Sequence, residues 1–154
     1  MSDPIIVIDT SSIREGKLQE VEAAADGLVT FVEANEPDIL FYEVCIDREV
    51  GQMTVVQIHP SSESMELHMD LAAPVFRGFS GLVELSRVDF YGSPSAAVLD
   101  QMRRKAEMLG GAPVVVNQRH AGFARPLGEE ALDLARASGS SPLVPRPDAS
   151  SSGS

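Results

Sequence analysis

The sequence contains no tryptophan and a single cysteine, Cys45, in 154 residues. A lone cysteine makes no intrachain disulfide and cannot by itself hold a structural zinc. Cations are also scarce, with 12 Lys and Arg against 23 Asp and Glu and a formal charge of −11. Nucleic-acid binding needs clustered cations facing the phosphates, so this balance excludes a nucleic-acid partner, and it argues equally against an anionic membrane surface. There are three histidines, none with the His-x-x-x-His spacing of a helical metal site, so no metal is expected. The apolar run Ile5-Ile6-Val7-Ile8 is far shorter than the ~20 residues of a membrane-spanning helix. It also lacks the basic leader of a secretory signal. A cytoplasmic protein is the expectation.

What is present is an ordinary hydrophobic share of 44%, enough for one globular domain burying roughly 70% of its unfolded surface. Ile5 to Asp9 reads as a buried strand. Leu18, Val21, Ala25, Leu28 and Val32 recur on one face of a helix that opens at Gly16-Lys17 and must end before Pro37. Ile39 to Ile46 and Met53 to Ile58 read as strands joined in a hairpin, with Gly51 in the short connection. Ser61 or Ser62 caps a second helix whose stripe includes Met65, His68, Met69, Ala72 and Phe76, and Pro74 predicts a kink or an early break in it. Leu82 to Tyr91 returns as a strand.

The order β-α-β-β-α-β is the α+β, ferredoxin-like arrangement, with two helices on one face of an antiparallel sheet. It would occupy residues 1–92. An appended helix and strand follow at 93–126. Ser93-Pro94 starts the helix, Gly110-Gly111 ends it, and the strand runs from Val114 to about Phe123. Residues 127–154 read as a short helix, Glu129 to Ala137, then a disordered Ser/Pro/Gly tail. Apolar side chains on both faces of the second strand require cover on both sides. A second copy of the sheet supplies it most simply, so a homodimer is expected, with a monomer covered by the appended helix as the competitor. Cys45 is expected to pack within the sheet.

Residues Ile5 to Phe90 resemble the antibiotic biosynthesis monooxygenase superfamily of dimeric α+β barrels. The likeness lies in the first strand with Gly16-Lys17, in the segment Pro37-Asp38-Ile39-Leu40-Phe41-Tyr42-Glu43-Val44, in Glu66-Leu67-His68 and in Ala73-Pro74-Val75-Phe76. The resemblance implies oxidation of a small quinol- or anthrone-like aromatic without a cofactor, His68 being the catalytic proton acceptor. Gln57-Ile58-His59 stands where many members carry Glu and Trp. The missing tryptophan makes haem cleavage the least expected of the family's activities, and a non-catalytic binding or assembly module on the same fold is the alternative.

Each candidate also has a structural reading. His68, on a buried stripe, is either a satisfied core histidine or the proton acceptor. His59, before Pro60 and a helix cap, is either an exposed turn residue or a polar group on the substrate. Tyr42 packs its ring on a strand or orients a phenolic substrate. Arg87 either pairs with Asp89 on one strand face or holds an anionic substrate. Asn117, Arg119 and His120 read as a polar strand edge.

Overall fold

The computed structural model describes residues 3–125. The described residues up to His120 form one compact unit, and those from Ala121 belong to a second. The short helix and tail expected at 127–154 lie outside the described residues.

Alternation sets the sheet. In β1 (Ile5–Ile13) the side chains of Ile5, Val7, Asp9 and Ser11 are buried while their neighbours are less so. In β3 (Gln52–His59) Met53, Val55, Gln57 and His59 are buried in the same way. With β2 (Phe41–Asp47), β4 (Val83–Tyr91) and β5 (Val114–Asn117) they form one sheet in the order β2-β3-β1-β4-β5. The first four strands pair antiparallel, and β5 adds parallel to β4. The α+β ferredoxin-like core with an appended helix and strand is therefore the observed architecture.

Helix α1 (Leu18–Asn35) buries Val21, Ala25, Leu28 and Val32, the stripe read from its sequence. Helix α2 (Ser62–Arg77) is capped by Ser61, whose hydroxyl accepts from the Ser64 amide at 3.3 Å. It runs through Pro74 to Arg77 instead of breaking. Proline there forfeits only the bond to the Asp70 carbonyl, close to the helix end, and Asp70 is exposed to water.

Helix α3 (Ala96–Met108) starts two residues later than expected. Its cap is Ser95, which accepts from the Val98 amide at 3.2 Å, not Ser93. The reason is tertiary: the Ser95 amide donates to Ser62 Oγ at 3.0 Å and its hydroxyl to Glu66 at 2.7 Å, tying the helix start to α2. The chain reaches that point through Gly92, whose φ of +122° brings the backbone so near Pro4 that an added Cβ would sit 3.0 Å from its carbonyl oxygen. Strand β5 stops at Asn117 rather than Phe123, because β4 ends at Tyr91 and offers no further partner.

Helix α3 packs on α2 and β5, and its buried Val98, Met102 and Ala106 join the same core as α1 and α2. All three helices thus cover one sheet face. The appended helix does not cover the other, where Ile6, Ile8, Val56 and Ile58 are half-buried. Cys45 is exposed on edge strand β2 instead of packed, since it alternates with Val44 and Ile46, which pack on the core, and so falls on the face the helices leave uncovered.

Candidate functional site

The helix-facing side of the sheet carries an unusual amount of polarity. Asp9, Ser11, Glu36, Gln57, His59 and His68 are all buried there, and buried polar groups are costly unless bonded. Strand parity turns Gln57 and His59 toward α2, and the helical period turns His68 down onto them. The end of α1 delivers Glu36.

His68 and Glu36 form the centre. The imidazole Nδ1–H donates to Glu36 at 2.9 Å and 3.1 Å to its two oxygens, with side-chain exposures of 0% and 2%. The carboxylate fixes the tautomer and leaves Nε2, on the far side of the ring, as the lone-pair nitrogen. That atom is buried and has no hydrogen-bond partner. Three rings surround the imidazole, with centroids at 5.5 Å for Tyr42, 5.5 Å for His59 and 5.3 Å for Phe76, the last edge-on.

His59 is fully buried rather than exposed at a turn, because the β3 alternation carries through to its last residue. Both ring nitrogens are engaged: Nε2–H donates to Gln57 Oε1 at 2.7 Å, and Nδ1 accepts from the Ser64 hydroxyl at 2.8 Å. Burial, and secondarily the neighbouring His68, push its pKa down to about 3, so this ring stays neutral. Tyr42 is half-buried, and its hydroxyl makes no hydrogen bond among the described residues. Burial raises its phenol above the ordinary range, and the charges of Asp9 and Glu36 add to that.

A second polar pair lies close by. Lys105 Nζ is 3.6 Å from Asp9 Oδ2 and 4.0 Å from the centre of the Phe76 ring. The pair borders a small cavity of about 20 Å³ that Ser11, Tyr42 and Phe76 also line, room for roughly one water. An open cleft of about 320 Å³ lies on the other side of Tyr42, between α1 and β2, with Val32, Glu36, Ile39 and Phe41 among its walls. That is the lower end of the range for small-molecule sites.

The structure thus brings together His68, His59 and Tyr42, but not Arg87. Arg87 lies on the uncovered sheet face, its guanidinium donating to Asp89 at 2.7 Å and 3.0 Å, with 54% of its side chain exposed. Val88 and Phe90 take the inward positions of β4, so Arg87 and Asp89 must face away from the histidines. Among the described residues no three His, Cys, Asp or Glu side chains converge as a metal would require.

Glu36, Asp9 and Lys105 were not legible as site residues in the sequence. Glu36 had one signal, an acid at the C-terminal end of a helix with no basic residue in its last turn. The dipole disfavours negative charge there, so a hidden partner is implied. Asp9 and Lys105 carried no such mark.

No family model matches the sequence, and no curated protein matches it either. Solved structures do. MupZ from Pseudomonas fluorescens is similar with a TM-score of 0.63 at 15% identity, over 81% of this chain and 97% of that one. Rv0793 from Mycobacterium tuberculosis gives 0.52 at 15% identity, over 62% and 99%. SnoaB from Streptomyces nogalater, a cofactor-independent oxygenase, gives 0.51 at 10% identity, over 62% and 97%. The α+β ferredoxin-like core expected from the sequence is thus a fold that this chain shares with solved structures.

Proposed function

We propose that the chain is a cofactor-independent monooxygenase acting on a small, electron-rich aromatic of the quinol or anthrone type, with His68 as proton acceptor. The observation that carries this reading is the buried Glu36–His68 pair with its unpartnered Nε2. A carboxylate on Nδ1–H stabilises the imidazolium that forms when Nε2 takes a proton, and the surrounding rings keep water away. For an anthrone, Nε2 removes a proton from the ring CH₂, and the resulting carbanion reduces dioxygen. Recombination gives a hydroperoxide that collapses to a ketone and water. Substrate and O₂ are thereby converted to ketone and H₂O, with all electrons drawn from the substrate. An oxygenase among the similar folds is consistent with this chemistry.

Tyr42 is the phenolic group placed to meet a substrate entering from the cleft. His59, with both nitrogens bonded, acts as a neutral wall, and Arg87 lies outside the site. Oxygen uptake by the wild-type protein with a panel of hydroquinones and anthrones tests the reading. Retention of such a compound with no oxygen consumed would leave only a binding module.

A second copy is proposed as the cover of the open sheet face. Ile6, Ile8, Val56 and Ile58 form an apolar strip there that none of the three helices reaches. Sedimentation is expected to give about twice the 16.5 kDa chain mass. A monomer at micromolar concentration would reject the dimer.

A further inference from the structure

A buried acceptor without a partner and a half-buried ammonium lie side by side. Asp9 Oδ2 makes no hydrogen bond although its side chain is only 4% exposed. Lys105 stands 3.6 Å away, near enough to offset charge but too far for a hydrogen bond. The ammonium has three donors, and what it faces on its other side is the Phe76 ring. An unmet acceptor and an ammonium therefore border one cavity, and nothing in the Glu36–His68 chemistry uses either.

Tyr42 separates that cavity from the open cleft, since it lines both. Its hydroxyl is not tethered by a hydrogen bond, and β2 is an edge strand held on one side only, by β3. This one side chain is thus the residue common to the walls of the cleft of about 320 Å³ and of the small cavity. We propose that Tyr42 is a gate, and that an aromatic ring seated in the cleft and in the space Tyr42 vacates on turning out presents oxygens on two adjacent carbons to the Asp9–Lys105 end. One oxygen is a hydroxyl that donates to Asp9 Oδ2. The other, a hydroxyl or carbonyl oxygen, accepts from Lys105 Nζ.

A single hydroxyl would satisfy only one of the two groups, and oxygens on opposite ring positions cannot reach both. Lys105 belongs to the appended helix, so the ferredoxin-like core alone would not make this selection. The inference deepens the preceding reading by naming the pattern of oxygens on the substrate. It depends on that reading for turnover but not for binding.

Anaerobic calorimetry with catechol, hydroquinone and phenol separates the two. Wild-type protein is expected to prefer catechol by roughly tenfold or more, the worth of a hydrogen bond to a charged group. Asp9→Asn should erase that preference, and Tyr42→Ala should speed association. A measurement without any variant guards against misfolding. Lys17 and Lys105 are the only two lysines, so side-chain NMR of lysine-labelled wild type yields two signals, of which the Lys105 signal should move with catechol and not with phenol. Equal affinity for catechol and hydroquinone, no binding of either, or an unmoved Lys105 signal overturns the proposal. Catechol held selectively without oxygen uptake on any substrate leaves the site standing and removes the monooxygenase. Oxygen uptake without catechol preference does the reverse.

Discussion

Oxygen uptake with an accepted anthrone or hydroquinone is expected to fall roughly 10²–10⁴-fold in His68→Ala, the usual contribution of a positioned general base. The size follows from geometry. Nε2 is the one buried ring nitrogen in the cluster with no protein partner, since both nitrogens of His59 are bonded. The groups in contact with the imidazole do not compete for the proton: the Tyr42 phenol is held protonated by burial, and the Glu36 oxygens are committed to Nδ1. Glu36→Gln is expected to reduce the rate less, because an amide oxygen still accepts from Nδ1–H but no longer stabilises the imidazolium that forms. His68→Ala also strands a buried carboxylate, at a cost of about 3–5 kcal/mol, so rates are compared per folded molecule, by near-ultraviolet circular dichroism. A wild-type rate in folded His68→Ala would end the role of His68.

Acid should destabilise the protein as pH falls below 6.5, and His59 is the reason. In the native state burial holds its pKa at about 3, whereas the unfolded chain restores 6.5. Between those values unfolding takes up a proton. Stability is therefore fully present above pH 6.5 and is lost as pH falls toward 3, by up to ~1.4 kcal/mol for each pH unit. From pH 6.5 to 4.5 the loss is ~2–3 kcal/mol, a large part of the ~5–15 kcal/mol that holds a domain together. Urea unfolding at several pH values measures it. His59→Gln, which keeps hydrogen-bonding groups but does not titrate, should flatten the dependence over that interval. Parallel pH profiles for the two proteins would show that His59 is not held neutral by the fold.

The sequence carried the helices and strands because each buries one periodic face. The stripe Val21, Ala25, Leu28 and Val32 and the alternation Met53, Val55 and Gln57 follow from local geometry. Where the reading of boundaries failed, a long-range contact was responsible. Ser95 rather than Ser93 caps α3 because Ser62 and Glu66 hold it. The fifth strand stops with its partner, not with its own β-branched run. The same distinction governs the site. His68 was legible because its stripe must face inward. His59 was open between an exposed turn residue and a pocket group, because its place before Pro60 suggests exposure, and only the fold shows it buried.

The missing tryptophan and the excess of acids were enough to set aside haem cleavage and nucleic acid as expectations. The periodicities were enough for the α+β core and for His68 on its inward face. Tertiary structure alone decided that Glu36, 32 residues away, would orient that histidine. It also decided that Lys105 from the appended helix would reach Asp9, and that Arg87 would face the opposite side of the sheet. The physical reason is range. Periodic burial is written in neighbours a few positions apart, whereas a charge pair depends on where two distant elements cross, and no local pattern encodes that crossing.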